Sequence, residues 1–234
     1  MQIPGNRIML QRAGGGGIPG GAWVPWDALV SNNPGVGDYP LISDACAMEP
    51  AGAVIAVDCN STTPYVEIAD IVLKEGQTVF AFDGVRAAGT VVVLMGDFQV
   101  RMPNNDPTLE GIYFHCDNMT AASVGEYKCD ISGAGGLGPT INRCVFNLDN
   151  STAGLPRACR GMRITGAVGG IIRDVKVLPN DFVQRPLEMV NCFSRVTIED
   201  SEFSGSLVQS MMVSMIQARR LRLDAVNTGL PAVM

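Results

Sequence analysis

The chain has 234 residues, 27 of them glycine and 14 proline, and this density of helix breakers excludes a helical bundle. Hydrophobic residues make up 47% and charged residues 17%, which is enough apolar material for a core and excludes global disorder. A net charge of −6 argues against a nucleic-acid binder that works by neutralising phosphates.

That charge is uneven. Residues 1–117 carry 5 basic against 13 acidic side chains and residues 118–234 carry 12 against 10, so the two halves are expected to face different surroundings. Met1 to Arg7 lack the basic-then-apolar layout of a signal peptide, and no charge-free run reaches the roughly 18 residues that span a bilayer. No membrane insertion is expected. The seven cysteines are an odd number without Cys-x-x-Cys spacing, so they are expected to be reduced and buried, with no zinc site and with assembly in the cytoplasm.

In chain order, residues 1–45 read as an extended Gly/Pro-rich arm, with Gly14 to Gly17, Gly20, Gly21 and five prolines and no sustained period. Its apolar anchors are Ile18, Trp23, Val24 and Trp26. Both tryptophans of the protein lie here, as in a tether that orders on a partner surface; the alternative is that they pack back on their own domain. Residues 46–107 read as a β-rich cap region of short runs: Ala53–Val57, Tyr65–Leu73, Thr78–Phe82 and Thr90–Leu94.

From residue 108 to 234 a spaced pattern recurs. Leu109-x-x-Ile112-x-Phe114 is followed by Ile141-x-x-Cys144-x-Phe146, Ile172-x-x-Val175-x-Val177, Ile198-x-x-Ser201-x-Phe203 and a degenerate Leu223-x-x-Val226-x-Thr228. Successive starts are 32, 31, 26 and 25 residues apart, a period that belongs to stacked supersecondary units. The position after the first aliphatic is polar in every copy: Glu110, Asn142, Arg173, Glu199 and Asp224. An offset of three followed by two means that the alternation slips by one residue, as in a strand that bends from one sheet into the next. The secondary apolar runs Met162–Ile164, Met189–Val190 and Met211–Ile216 predict two or three short strands per period. A β-sandwich also accommodates short strands; parallel stacking of successive copies at about 4.8 Å separates the two folds.

Phrases such as Thr140 to Asn147 and Val196 to Gly205 resemble rungs of the right-handed parallel β-helix, the pectate-lyase-like fold of polysaccharide lyases, hydrolases and bacteriophage tailspikes. The resemblance implies an all-β parallel β-helix over 108–234, preceded by the small β region and the arm. Polygalacturonase-type members of that family carry paired aspartates, a Gly-His-Gly and an Arg-x-Lys, and this chain departs from all three.

Candidate chemistry is sparse. His115 is the sole histidine, and its expected role is a rung-end side chain satisfied by backbone. Asp174 and Asp200 occupy one column of successive copies, about 5 Å apart if the copies stack, a separation that suits a retaining carboxylate pair. The competing reading is a solvated ladder in which Arg143 and Arg173 offset Asp174, Glu199 and Asp200. Arg219, Arg220 and Arg222 are a candidate interface patch. The glycine-rich stretches lack a phosphate-cradle ending, and neither a cofactor nor a metal is expected.

Together with the arm, the resemblance implies a structural or attachment protein of a bacteriophage virion: a tailspike, tail fibre or head-decorating subunit. It would be a homotrimer assembled in the host cytoplasm, contact other virion proteins through the arm, and touch host surface polysaccharide. The alternative it implies is a polysaccharide lyase or glycoside hydrolase.

Overall fold

A computed structural model describes residues 26–59, 63–82, 91–103, 105–116, 126–132, 138–148, 160–166, 169–178, 185–192, 196–204, 208–211, 216–220 and 222–224. Short runs rich in Val, Ile and aromatic residues form strands, and corners stop each run after two to six residues.

Three sheets result. Sheet A holds β1 (Ala28–Val30), β2 (Val54–Asp58), β5 (Thr78–Phe82), β8 (Thr108–Glu110), β11 (Thr140–Asn142), β14 (Gly170–Arg173), β17 (Val196–Glu199) and β20 (Ile216–Arg219), in that lateral order. Sheet B holds β3 (Tyr65–Val66), β6 (Val91–Leu94), β9 (Ile112–His115), β12 (Val145–Asn147), β15 (Lys176–Leu178), β18 (Glu202–Ser204) and β21 (Arg222–Asp224). Sheet C holds β4 (Ile71–Val72), β7 (Val100–Met102), β10 (Tyr127–Ile131), β13 (Arg160–Thr165), β16 (Arg185–Val190) and β19 (Val208–Met211). The chain visits A, B and C in turn, and neighbouring strands pair in parallel, as at β2 with β5, β12 with β15 and β13 with β16. This is a parallel β-helix.

Its core is a set of inward ladders. On sheet A, Ala28, Ile55, Val79, Leu109, Ile141, Ile172, Ile198 and Ala218 stand in register. On sheet B the ladder is Tyr65, Val93, Phe114, Phe146, Val177, Phe203 and Leu223. Phe114 and Phe146 stack with centroids 5.0 Å apart and planes 14° from parallel. Such ladders form because residues in register on neighbouring strands lie about 4.8 Å apart, so like shapes pack on like shapes.

The slip in the repeat is a backbone event. Arg143, Asp174, Asp200 and Arg220 have φ of 49–52° and Gly111 has 76°, so one residue per rung turns left-handed at the A-to-B corner. The hydrogen-bond ladder runs through this corner: the Gly111 N–H donates to Asn142 O, Arg143 to Arg173, Asp174 to Glu199 and Asp200 to Arg219. A single left-handed residue re-aims the chain and shifts the inward parity by one, which produces the three-then-two spacing.

Four expectations need correction. The last copy starts at Ala218, since Ala218 pairs with Ile198, and Leu223 belongs to the aromatic column opposite Phe203. The rung there is shorter than the spacing of earlier copies suggested. The boundary at 107/108 separates nothing, because β5 pairs with β8 across it. The boundary at 45/46 cuts helix α1 (Ile42–Met48), and β1 already lies within the span read as an arm. Helix α1 packs against β1, β2 and β4, so residues 26–50 belong with the first rungs of the solenoid.

Local chemistry holds α1 in place. Glu67 receives the backbone N–H groups of Ile42 and Ser43 at its first turn. At the other end Lys74 Nζ donates to Ala47 O and Glu49 O, both at 2.6 Å, and Gln77 Nε2 donates to Cys46 O, Glu49 O and Pro50 O. A helix this short forms only with both ends satisfied by the solenoid beneath it.

Candidate functional site

The described cysteines are free thiols in the core, as expected. Burial pushes Cys46 and Cys144 up to about 12 and Cys129 well above its ordinary value. Functional chemistry must therefore come from the outward faces and the corners.

At the A-to-B corner, Asp174 and Asp200 occupy the left-handed position of successive rungs. Asp200 is also held by Arg220 of the next rung, whose Nη2 donates to Asp200 Oδ2 at 2.6 Å. Around them Arg143 pairs with Glu110, and Arg173 Nη2 lies 2.9 Å from Glu199 Oε2. Exposed pairs of this kind contribute on the order of 0.2–1 kcal/mol each, and their use is to keep rungs in register. Arg219 is exposed, and the backbone of Arg222 opens β21. Arg220 is committed to Asp200.

On sheet B the outward residues of β9 and β12 form a polar aromatic cluster. Asn147 Nδ2 donates to Tyr113 Oη at 2.7 Å, and the Tyr113 ring meets His115 edge-on with centroids 6.4 Å apart. His115 stands at a rung end, and its Nε2 is enclosed with no hydrogen-bond partner among the described residues. Lys176, exposed, follows in the Tyr113 column after Val145.

Sheet C carries the densest charge. Arg163 grips Asp130 through two bonds, Nε to Oδ1 at 3.1 Å and Nη2 to Oδ2 at 2.7 Å, and this hydrogen bonding raises the Arg163 pKa. The Tyr127 hydroxyl donates to Glu188 Oε2 at 2.5 Å. The guanidinium carbons of Arg160 and Arg163 lie 5.3 and 5.0 Å from the Tyr127 ring centroid, within cation–π range. The column Arg101, Asp130, Arg163, Glu188 alternates in sign from rung to rung.

Of the expected arm anchors, Ile18 and Trp23 lie outside the described residues. Trp26 packs edge-on against Phe82 of sheet A, with centroids 4.5 Å apart. Spacing alone marks the sheet C runs Met162–Ile164 and Met189–Val190 without aligning them, so the charged residues beside them fall into no column. The signal for that placement is the alignment of Met162–Ile164 over Leu187–Met189, which sets Arg163 beside Glu188.

No protein family and no curated protein matches the sequence. A solved structure of a mutant PL6 family alginate lyase, AlyGC, matches with a TM-score of 0.40 at 10% identity, covering 82% of this chain and 38% of that one. A likeness of that size carries no argument about activity, and this chain spans well under half the length of its neighbour.

Proposed function

We propose that this chain is a structural, attachment-type β-helix that presents its outward flanks to extended saccharide, as a virion attachment protein does. The observation that carries the reading is the outward Tyr113–Asn147–His115 cluster. It sets the half-buried Tyr113 ring beside polar side chains on a rigid parallel sheet, the combination that suits a sugar's apolar face and hydroxyls. The Gly/Pro-rich residues before the solenoid, with Trp23 among them, support docking to a larger particle, and the homotrimer belongs to the same proposal. Glycan-array binding by the full chain tests it: bound glycan lost in Tyr113→Ala supports the reading, and an array without hits overturns it. Its mass in solution, by sedimentation, tests the trimer.

A second reading, a polysaccharide lyase or hydrolase, is favoured by one observation: Asp174 and Asp200 are like charges on adjacent rungs. Saccharide cleavage that is abolished in an Asp174→Asn, Asp200→Asn double variant would establish it, and cleavage that is unchanged would remove those residues from the mechanism.

A further inference from the structure

Exposed aliphatic side chains and negative charge gather at the same end of this solenoid, where β1, β3 and β4 are the edge strands of the three sheets. Met48 is 72% and Ile68 69% exposed, and Val36, Val66 and Val72 join them; among the described residues only Ile171 is a large exposed hydrophobic elsewhere. On α1, Ile42, Ser43, Ala45 and Cys46 turn inward, which leaves Asp44, Ala47 and Met48 as an outward stripe at spacings of three and four. The helix packs on β4, where Val72 faces out. Val66 faces out on β3, and Ile68 lies in the corner between those two strands. Single exposed aliphatics are ordinary, but a group of them at one end marks a contact surface.

The charge around this surface is left uncompensated. Residues 26–75 carry eight carboxylates and one lysine, and that Lys74 is committed to Ala47 O and Glu49 O. Asp27 and Glu49 accept from the neutral Val54 N–H and Tyr39 hydroxyl. Arg101 reaches Asp70 from the next rung, while Asp44 and Glu75 have no ion pair among the described residues. Residues 1–25 are the complement: they hold Arg7 and Arg12 and no carboxylate, with Ile8, Met9 and Leu10 between the two arginines.

We propose that residues 7–12 dock on the α1 end of their own solenoid, with Ile8, Met9 and Leu10 against Met48, Val66, Ile68 and Val72 and the two arginines toward its carboxylates. Residues 13–25 extend to about 40 Å, some eight strand spacings, and lead into β1, which itself touches α1. A tether of that length holds the segment at an effective concentration in the millimolar range, so a contact too weak between separate chains is occupied within one. Opposite charge adds to the apolar contact and makes it sensitive to salt. The contact is independent of the saccharide reading and leaves Ile18 and Trp23 for docking to a larger particle.

Hydrogen exchange of the full chain, read by peptide mass, tests this against a synthetic peptide of residues 1–25. Amides of residues 8–12 are expected to exchange about tenfold or more slowly in the full chain than in the peptide. Met48→Glu and Ile68→Glu, both at exposed positions, should return them to the peptide's rate with an unchanged melting curve for the solenoid, as should Arg7→Glu combined with Arg12→Glu. Ile171→Glu, which removes the exposed aliphatic on sheet A, should leave the protection as it is. Exchange at the peptide's rate in the parent chain overturns the proposal. Protection that survives Met48→Glu and Ile68→Glu overturns the surface, and protection that survives reversal of both arginines overturns the part given to charge. Protection that fades on dilution of the chain places the segment on a second copy and overturns docking within one chain.

Discussion

Glu67 accepts the backbone N–H of Ile42 at 2.9 Å, so a carboxylate from the corner after β3 closes the first turn of the helix that caps the solenoid. The second oxygen takes the Ser43 N–H at 3.1 Å. Two orphan donors of α1 are thereby satisfied from a residue that is itself buried, and the cap and the first B and C strands become one unit.

Replacing Glu67 by Ala should cost about 1–2 kcal/mol, the usual loss for a helix cap, read as a lower thermal midpoint. The pH dependence has a definite sign. Desolvation raises the Glu67 pKa, against the lowering by its bonds to Ser43 and Ile42. A folded-state pKa above the unfolded one favours the protonated form in the fold, so this stability is fully present below the unfolded pKa and is lost as pH rises through the folded one. Melting curves across mildly acidic pH should show that loss in the parent chain and a flatter profile in Glu67→Gln. A parent chain that gains stability with rising pH, by an amount that Glu67→Gln removes, would contradict the assignment.

The left-handed corner gives a second expectation. At Asp174, φ is 51°, a region that Gly enters freely, Asp tolerates and β-branched residues avoid. Asp174→Val should therefore destabilise the chain by about 1–3 kcal/mol, while Asp174→Gly should sit near the parent. Comparing the two variants in urea separates backbone strain from the removal of the charge, which both share.

A third concerns the crossing of β13 over sheet B. A Cβ on Gly161 would stand 2.4 Å from Pro186 O and 2.7 Å from Val177 Cγ1. Neither atom is the tip of a flexible side chain. Gly161→Ala is expected to lower stability by about 1–3 kcal/mol, as overpacking does. A neutral result in chemical denaturation would mean that β13 and β16 move apart more easily than their long pairing implies.

The thiols supply a fourth. Cys46 and Cys144, raised to about 12, and Cys129, raised well above its ordinary value, are protonated at neutral pH and enclosed by the core. A thiol reagent should leave these three unmodified in the native protein and label them rapidly in denaturant, with labelled positions read by peptide mass. Rapid native labelling of Cys144 would show that the A-to-B corner opens on the experimental timescale.

The amino-acid sequence by itself determined the repeat and its meaning. Leu109, Ile141, Ile172 and Ile198 recur with Phe114, Phe146, Val177 and Phe203 because every rung must fill the same two core columns, and the one-residue slip between them is the left-handed corner written in spacing. The column of Asp174 and Asp200 was legible for the same reason. Lateral register was not, because rungs differ in length: 32 residues separate Leu109 from Ile141 but 20 separate Ile198 from Ala218. Only parallel pairing moved the last copy into register, joined residues 46–107 to one solenoid and seated α1 on its end. It also brought Tyr127 to Glu188 across 61 residues. Local spacing records what a strand turns inward; which side chains meet on the outside is decided by hydrogen-bond ladders between strands far apart in the chain.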